Sequence, residues 1–513
     1  MEDNQVAPGD GPRKLLIITH ESVGDKMAGP SVRAWEMAQA LGGRGLRVML
    51  ATPFPSTRVA PHVTIEHYAW DAPASLEALI DAADVVMGIG PVITRVINAI
   101  GRPIEKPTAI DTYYVPEIEQ ILLNITLNHT GLDPTSVYVN EMTSYLCQGD
   151  YFLCANARHF DLWIGALLAT ERLNMRTLAD LTVDKLIGLV PLGLPAEPPQ
   201  PAASPVIKGV IPGIGLTDKI IYWGGGIWDW TDPLTLLEAV KLVLQQRDDV
   251  RILFGALHHY DHNVVPTMSV ARQLLQAIER EGWLNTRVFF LDWVPYDQRA
   301  HYLLEADIGI SMTLHTIENR YAVRARSLDY LWATLPCVLT AGDELADVLH
   351  ETGLATLVQP GDVQAVAEAI LQILADDTGR DSLRPKTAAA AAQFHWPAVV
   401  QAAFEFASHP YRAADADIAR ARIGELIKTR ISWDALLREK AVLTQEQFDL
   451  QVKFSEAITG LQTQLDQRQV QINHLQTDIE NVRAHLQQVE NGRVMRAMNA
   501  AQNSLNKILG RTQ

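Results

Sequence analysis

Residues 318–340 read ENRYAVRARSLDYLWATLPCVLT, a helical pattern that stops at Pro336 and continues as an apolar strand. Apolar side chains recur in it at helical spacing, which predicts a helix face packed against a sheet. These side chains are Leu328, Leu331, Trp332 and Leu335. A helix that leads directly into a buried strand is typical of a parallel sheet covered by helices.

The same stretch carries charges near the start of its helix. We expect Arg324 at the helix start, where unsatisfied backbone N–H groups and the helix dipole favour an anion. Arg324 and Arg326 could therefore neutralise a phosphate group, and Asp329 could accept hydrogen bonds from sugar hydroxyls. A salt bridge between Arg326 and Asp329 on a solvated face is the alternative.

Outward from this stretch, short aliphatic runs alternate with longer amphipathic segments in two successive blocks. The first covers residues 13–195 and begins with KLLIITH, and the second covers 219–385 and begins with KIIYWGGG. This alternation predicts two doubly wound Rossmann-like α/β domains that face a cleft. The proline-rich residues 196–218 cannot extend a helix or a central strand, which predicts a linker.

Three consecutive glycines, Gly224, Gly225 and Gly226, follow the first strand of the second block. Glycines let backbone N–H groups approach a ligand closely, which suits a diphosphate. The next helix is expected to begin near Asp232, with Pro233 at its first position. A tight strand-to-helix turn explains the glycines equally well.

From Leu15 to about Ala375 the chain resembles the family 4 (group 1) glycosyltransferases of GT-B fold. The resemblance rests on AGPSVRAWEMAQALGGRGLRVMLATP, VPLGLP, FLDWVPYDQRAHYLLEADIGISM and, most specifically, LDYLWATLPCVLTAGD. It implies a retaining, hexosyltransferase-type enzyme whose C-terminal domain binds a nucleotide-sugar donor. The N-terminal domain would offer a polysaccharide or glycolipid acceptor, with no cofactor and no catalytic metal.

Two departures from the family pattern concern the expected donor site. The family carries an E-x7-E motif, with the first Glu close to the transferred sugar and the second on the donor ribose. Here Asp329 stands at the second position and Tyr321 at the first, so the nearest upstream acid, Glu318, is the catalytic candidate. The family's Arg and Lys for the diphosphate are also missing, and we expect Arg324 and Arg326 to replace them from across the cleft.

The resemblance also points to residues of the N-terminal domain. Gly29, Pro30 and Arg33 occupy the loop and first helical turn after the first strand, where the family contacts acceptor and donor. The alternative is that Gly29 belongs to a turn, Pro30 to a helix start, and that Arg33 is a solvated arginine. Asp111 ends a strand and Asn156 follows another, so we expect both at the cleft, with Asp111 as the second catalytic candidate. A helix cap is the alternative for strand-end residues of this kind.

A histidine cluster, His258, His259 and His262, lies in ALHHYDHN. Loop histidines without a matching pattern of acids are more often incidental than ligands. The sequence therefore predicts no metal site there.

Composition limits the protein class and its partners. The formal net charge of −17 argues against nonspecific nucleic-acid binding by the body of the protein. The three cysteines, Cys147, Cys154 and Cys337, are too few for a disulfide framework. No apolar run reaches the roughly 20 residues that span a bilayer, and the first residues lack a signal-peptide pattern. We therefore expect a cytoplasmic protein. Peripheral contact with the inner face of the cell membrane is compatible with this expectation.

The C-terminal sequence changes to helical, Gln-rich and Gly-poor composition. Residues 386–432 predict a helical return segment, and 433–490 predict a coiled coil, with Arg468 interrupting its apolar seam. The seam residues are Ile458, Leu461, Leu465, Ile472, Leu475, Ile479, Val482, Leu486 and Val489, preceded by Phe454. Such a seam predicts self-association, with a dimer as the expected assembly.

The last segment, 491–513, contains basic residues and no acid. Its basic residues are Arg493, Arg496, Lys507 and Arg511. Apolar residues between them predict an amphipathic helix that can lie on an anionic membrane surface. A frayed, solvated tail is the alternative.

Taken as a whole, the pattern favours a retaining GT-B glycosyltransferase. Two other functions remain open. A noncatalytic GT-B-like scaffold could act through its coiled coil, because the E-x7-E motif is altered and the basic pair is missing. A GT-B nucleotide-sugar epimerase would form product from the donor alone, without an acceptor.

Overall fold

The computed structural model describes residues 12–126, 135–260, 268–376 and 379–510. The chain divides into a large unit of residues 1–430 and a second unit of residues 431–513. The large unit contains two parallel sheets with helices, and the second unit is helical. The two α/β halves and a long C-terminal helix were predicted, and that fold class is confirmed.

Within the described residues, the first half forms a seven-stranded parallel sheet of order β3-β2-β1-β4-β5-β6-β7. Its strands are β1 (Lys14–Ile18), β2 (Arg47–Thr52), β3 (Val63–His67), β4 (Val85–Ile89), β5 (Thr108–Asp111), β6 (Tyr151–Cys154) and β7 (Ile187–Leu189). Aliphatic runs such as KLLII suit central strands because helices bury both of their faces. Leu15 and Ile17 accordingly belong to one apolar core, and Leu16 and Ile18 belong to another.

Helices connect these strands and cover the sheet. They are α1 (Gly29–Gly43), α2 (Glu77–Ala82), α3 (Gly90–Ile100), α4 (Pro116–Thr126), α5 (Thr135–Gln148) and α6 (Ala157–Ala169). Residues 190–218, which include the predicted linker, contain no named helix or strand and lead into the second half.

Within the described residues, the second half forms a six-stranded parallel sheet of order β10-β9-β8-β11-β12-β13. Its strands are β8 (Lys219–Trp223), β9 (Val250–Phe254), β10 (Val288–Phe290), β11 (Ile308–Ser311), β12 (Cys337–Thr340) and β13 (Ala355–Val358). Its helices are α7 (Pro233–Leu244), α8 (Ser269–Glu281), α9 (Arg299–Glu305), α10 (Ile317–Tyr321), α11 (Ala325–Trp332), α12 (Glu344–Glu351) and α13 (Val363–Ala375). Helix α7 begins as predicted, because Asp232 accepts a hydrogen bond from the Thr235 amide and Pro233 occupies the first turn.

Three further helices, α14 (Gly379–Ala392), α15 (Trp396–Val399) and α16 (Gln401–Ser408), lead the chain back to the first half. Ion pairs fix this return. Asp415 accepts two hydrogen bonds from Arg172, whose side chain is almost fully buried, and Arg420 lies 2.6 Å from the buried carboxylate of Asp150. Because removing one partner would leave the other charge buried and unpaired, these pairs tie the return segment to the first sheet.

The remaining helices are α17 (Ala416–Glu490) and α18 (Arg493–Ile508). Helix α17 ends at Glu490, where the predicted coiled-coil segment ends, and Gly492 is the N-cap residue of α18. None of the described helices combines the length and apolar character needed to cross a bilayer.

Strand order locates the site. In both sheets the strand order reverses beside the first strand of the half. The reversal lies between β1 and β4 in the first sheet and between β8 and β11 in the second. Ligands of doubly wound sheets bind at this reversal, outside the carboxyl ends of the strands. The loops after β1 and β8 are therefore the places to look for function.

Candidate functional site

A cavity of about 420 Å³ lies between the two halves of the large unit. The loop after β1 and the start of α1 line one wall, and the glycine loop after β8 lines the other. Gly29 and Pro30 line the first wall, as the sequence predicted for the cleft. Both reversal points therefore open into one cavity.

The glycine loop allows close packing of α11. The Gly224 amide donates to the Tyr330 hydroxyl at 3.1 Å, and a Cβ on Gly224 would lie 3.4 Å from the Cβ of Arg326. Gly225 has φ of +72°, a backbone conformation that favours glycine. The glycines thus bring the start of α11 against the loop and form the cavity wall there.

Arg324 is the N-cap residue of α11, as predicted from the sequence. Its guanidinium lies 2.6 Å from a carboxylate oxygen of Glu318, and both side chains are nearly buried. The Arg324 Nε atom is buried without a hydrogen-bond partner among the described residues. Glu318 and Arg324 therefore form one paired group on the cavity wall.

Arg326 lies beside this pair. Its Nη2 donates to the Gly226 carbonyl at 3.0 Å, and its Nη1 is buried without a partner among the described residues. Burial lowers the pKa of Arg326 to about 10, and repulsion from Arg324 adds to this effect. The side chain is still charged at neutral pH, so its desolvated nitrogen favours an anion in the cavity.

Asp329 lines the cavity one turn further along α11. Arg299 donates to its carboxylate at 3.1 Å and also packs on the ring of Tyr296. Burial raises the pKa of Asp329, and the positive charge of Arg299 opposes that rise. The alternative salt bridge between Arg326 and Asp329 is not formed, because each side chain contacts another group.

One expectation about the arginines is corrected. They were expected to supply the positive charge for the diphosphate from across the cleft, whereas α11 and the glycine loop belong to the same half. The short strand-to-helix connections of a parallel sheet place both at the carboxyl edge of adjacent strands, β8 and β11. The positive charge therefore comes from the wall that carries the glycines.

The opposite wall carries two acids that sequence reasoning missed. Glu21 accepts the Ser31 amide at 3.3 Å, and burial raises its pKa to about 7 although the Ser31 hydrogen bonds lower it. Glu119, on α4, also lines the cavity. Burial raises the pKa of Glu119 to about 8, and repulsion from Glu318 adds to that rise. The position of Glu21 just after the first strand was the available signal.

Asp111 and Arg33 were predicted to face the cleft, and this prediction is wrong. Arg33 is 1% exposed, and its Nε and Nη2 donate to the two Asp111 carboxylate oxygens at 2.7 and 2.9 Å. Neither residue is part of the cavity lining. A buried guanidinium needs a counterion, so Asp111 is held as the internal partner of Arg33.

The expected position of Asn156 at the cleft is also corrected. The alternative considered for it, a helix cap, is the one that the structure contains. The Asn156 side chain accepts the His159 amide at 2.9 Å, which caps α6. Asn156 is not part of the cavity lining. Its hydrogen bond satisfies one of the free amides at the start of α6.

Aromatic side chains line the cavity beyond the glycine loop. Trp228 and Trp230 are stacked, with ring centroids 5.3 Å apart, and both line the cavity. Trp293 donates to the Met27 carbonyl at 3.2 Å and packs against His259. Of the predicted histidine cluster, His262 lies outside the described residues.

Two polar contacts join the halves of the large unit at and beside Tyr296, which lines the cavity. The Tyr296 amide donates to the Asp25 carbonyl at 2.8 Å. Arg58 of the first half forms an ion pair with Asp297 of the second, at 3.0 Å. These contacts join the loops after β1 and β2 to the segment that carries Trp293 and Arg299.

Comparison with known proteins agrees with this architecture. The family profile described as "Glycosyl transferases group 1" matches residues 218–376, the half that carries the glycine loop and α11. No curated protein matches the chain in sequence.

Several solved structures have a similar fold. Sucrose-phosphate synthase from Thermosynechococcus elongatus is 14% identical, with a TM-score of 0.53 over 77% of this chain and 98% of that one. An E. coli structure, described as trehalose-6-phosphate bound with UDP-2-fluoro glucose, is 13% identical, with a TM-score of 0.52 over 77% and 99% of the chains. Anabaena HepE in complex with UDP and glucose is 14% identical, with a TM-score of 0.51 over 77% and 98%. At these identities the likeness shows the fold, which is GT-B.

Proposed function

We propose that the protein is a retaining glycosyltransferase that moves a hexose from a nucleotide-sugar donor to a polysaccharide or glycolipid acceptor in the cytoplasm. The observation that carries the proposal is the pair of buried guanidinium nitrogens, Nε of Arg324 and Nη1 of Arg326, that lack partners among the described residues. Both side chains line the cavity beside the glycine loop. A diphosphate would supply the acceptor oxygens that these nitrogens lack.

The donor diphosphate would lie between α11 and the glycine loop. Arg326 would bind it directly, and Arg324 would bind it while remaining paired with Glu318. Asp329, held by Arg299, would accept hydrogen bonds from the ribose hydroxyls. Two similar structures with UDP or UDP-2-fluoro glucose support a nucleotide-sugar as the donor.

In the reaction, the bond between the sugar C1 and the diphosphate oxygen breaks, and its electron pair stays on the diphosphate. Arg324 and Arg326 would stabilise the negative charge that develops there. The carboxylate of Glu318 would stabilise the positive charge that develops on the sugar ring. No metal or cofactor is required by this scheme.

The acceptor would enter from the opposite wall. Its hydroxyl oxygen forms the new bond to C1 on the face that the diphosphate leaves, and its proton passes to Glu21. A base with a pKa near the working pH is suited to this transfer, and burial raises the pKa of Glu21 to about 7. Gly29 and Pro30 would shape the acceptor entrance beside Glu21.

The C-terminal unit would pair with a second copy through the seam of α17. All ten predicted seam residues from Phe454 to Val489 are exposed, between 42% for Ile458 and 72% for Leu465. A regular apolar stripe of this length is unfavourable in water, and a two-stranded coiled coil would bury it. We therefore propose a dimer, with Arg468 as the one polar position in the seam.

The experiment is to incubate the protein with a panel of nucleotide-sugars, with and without oligosaccharide or lipid-linked acceptors, and to measure nucleoside diphosphate release and sugar products. Transfer predicts diphosphate release that increases with one class of acceptor, and a product with the donor's anomeric configuration. A new nucleotide-sugar formed without an acceptor would identify an epimerase. A protein that binds no nucleotide and forms no product would be a scaffold.

A further inference from the structure

Helix α18 has one apolar face and one basic face. Apolar residues at helical spacing share one side of it, and they are strongly exposed: Val494 73%, Met498 60%, Leu505 54%, Ile508 82% and Leu509 63%. Exposed apolar residues confined to one side of a helix indicate a surface that another apolar phase covers.

The polar side of α18 carries basic side chains. Arg493, Arg496 and Lys507 fall within about 60° of one another around the helix, at 100° for each residue, opposite the apolar face. Residues 491–510 contain no aspartate or glutamate. This excess is local, because the whole chain has a net charge of −17. The charge of α18 therefore complements an anionic surface.

The heptad register argues against a second copy as the occupant of this face. Continued beyond Val489, the register places Arg493, Arg496 and Lys507 at core positions. Pairing along the same seam would therefore bury the basic face and leave the apolar face in water. The break at Gly492 separates the two helices at the point where the seam would become basic.

We propose that α18 lies in the headgroup region of an anionic bilayer, with its apolar face towards the acyl chains and its basic side chains at the phosphates. Long basic side chains reach the headgroups from the polar side of such a helix. This binding does not depend on the proposed transferase activity, so either can fail alone. Arg511 lies outside the described residues and is not needed for the argument.

The test is cosedimentation of the full-length protein with vesicles of phosphatidylcholine alone or mixed with phosphatidylserine, at low and high salt. Three variants are compared: Leu505→Glu with Ile508→Glu on the apolar face, Arg493→Gln with Arg496→Gln and Lys507→Gln on the basic face, and Val470→Glu as a control. Val470 is an exposed apolar residue of α17 outside the seam. Its substitution also replaces an exposed apolar side chain by glutamate, but it leaves α18 unchanged.

We expect the parent and the control to bind the mixed vesicles at low salt and to be released at high salt. Each α18 variant should lose more than about tenfold in affinity, since each basic residue and the apolar face add to binding. Equal binding by all variants, or no binding of the parent to mixed vesicles at low salt, would overturn the proposal. A third outcome would also overturn it: the parent does not bind vesicles, and the α18 variants change the oligomeric state. That result would assign the apolar face to a protein contact.

Discussion

The two walls of the cavity are built from the same strand-loop-helix unit but carry different ionisable groups. The wall of the first half contributes Glu21 and Glu119, whose pKa values are raised by burial. The wall of the second half contributes Arg299, Arg324 and Arg326. Its own acids, Glu318 and Asp329, are each paired with an arginine. The same topology therefore places desolvated arginine nitrogens on one wall and acids of raised pKa on the other.

This difference depends on pairing more than on composition. Acids occur on both walls, but on the second wall an arginine compensates each of them and Arg326 remains in excess. In the first half the buried Arg33 is paired with Asp111 inside the core and does not reach the wall. The charge of each wall thus follows from where its arginines point.

The largest expected effect is on turnover. Glu318→Gln keeps the shape of the side chain but removes the charge that would stabilise the developing positive charge on the sugar. We expect the rate constant for transfer to fall by about 100-fold or more, as for loss of one electrostatic group in a preorganised site. Donor affinity, measured by calorimetry, should change far less. Unchanged turnover would assign the role to another acid.

The second prediction concerns the anion site. Arg324→Ala and Arg326→Ala should each weaken nucleoside diphosphate binding by about 1.5–3 kcal/mol, the range for hydrogen bonds to charged groups. Nucleoside binding should weaken less, because the nucleoside lacks the diphosphate. Arg320→Ala is the matched control, since Arg320 is an exposed arginine of the neighbouring helix α10. Binding as tight as that of the parent in both variants would remove the basic wall from the account.

The third prediction concerns the acidic wall and pH. Burial raises the pKa of Glu21 from its ordinary value of 4.5 to about 7, so its base form increases as the pH rises through that value. The ionised fraction goes from about one-tenth at pH 6 to about nine-tenths at pH 8, and transfer should rise by about tenfold over this range. Glu21→Gln should be slower and should lose this rise. The same pH profile in the variant would show that Glu21 is not the group that titrates.

The smallest expected effect is that of the C-terminal unit on the cavity. A chain that ends at residue 439 lacks the predicted seam and α18 but keeps all the residues that line the cavity. Its affinity for nucleoside diphosphate should stay within about twofold of the parent, because the removed segment contributes no residue to the cavity lining. Sedimentation should show a dimer for the full chain and a monomer for the shortened one. A full-length monomer at micromolar concentration would contradict pairing through the seam.

Local sequence signals were enough for the elements that form the cavity. The start of α11 at Arg324 followed from helical spacing and charge, and the start of α7 followed from the Asp-Pro pair at its N-terminus. Strand composition predicted both parallel sheets. These features depend on residues within one or two turns of each other, which a sequence displays directly.

The partners of charged side chains were not predictable in the same way. Arg33 and Asp111 are 78 residues apart, and Arg299 and Asp329 are 30 apart, on different elements. In the sequence, Arg33 has the pattern of a solvated helix residue. In the folded sheet, the end of β5 places Asp111 within hydrogen-bond distance of it. Such pairs determine which charged groups remain available to a ligand. More of the fold than of the site was therefore predictable from the sequence.

The most direct test of the difference between the walls is calorimetric titration of the full-length protein with a panel of nucleoside diphosphates, matched nucleosides and nucleoside monophosphates. The account predicts that at least one diphosphate binds more tightly than its monophosphate and nucleoside, and that Arg326→Ala reduces this preference while Arg320→Ala does not. Equal affinity for a nucleoside and its diphosphate, or no binding of any diphosphate, would contradict the assignment of the arginine wall to a nucleotide-sugar donor.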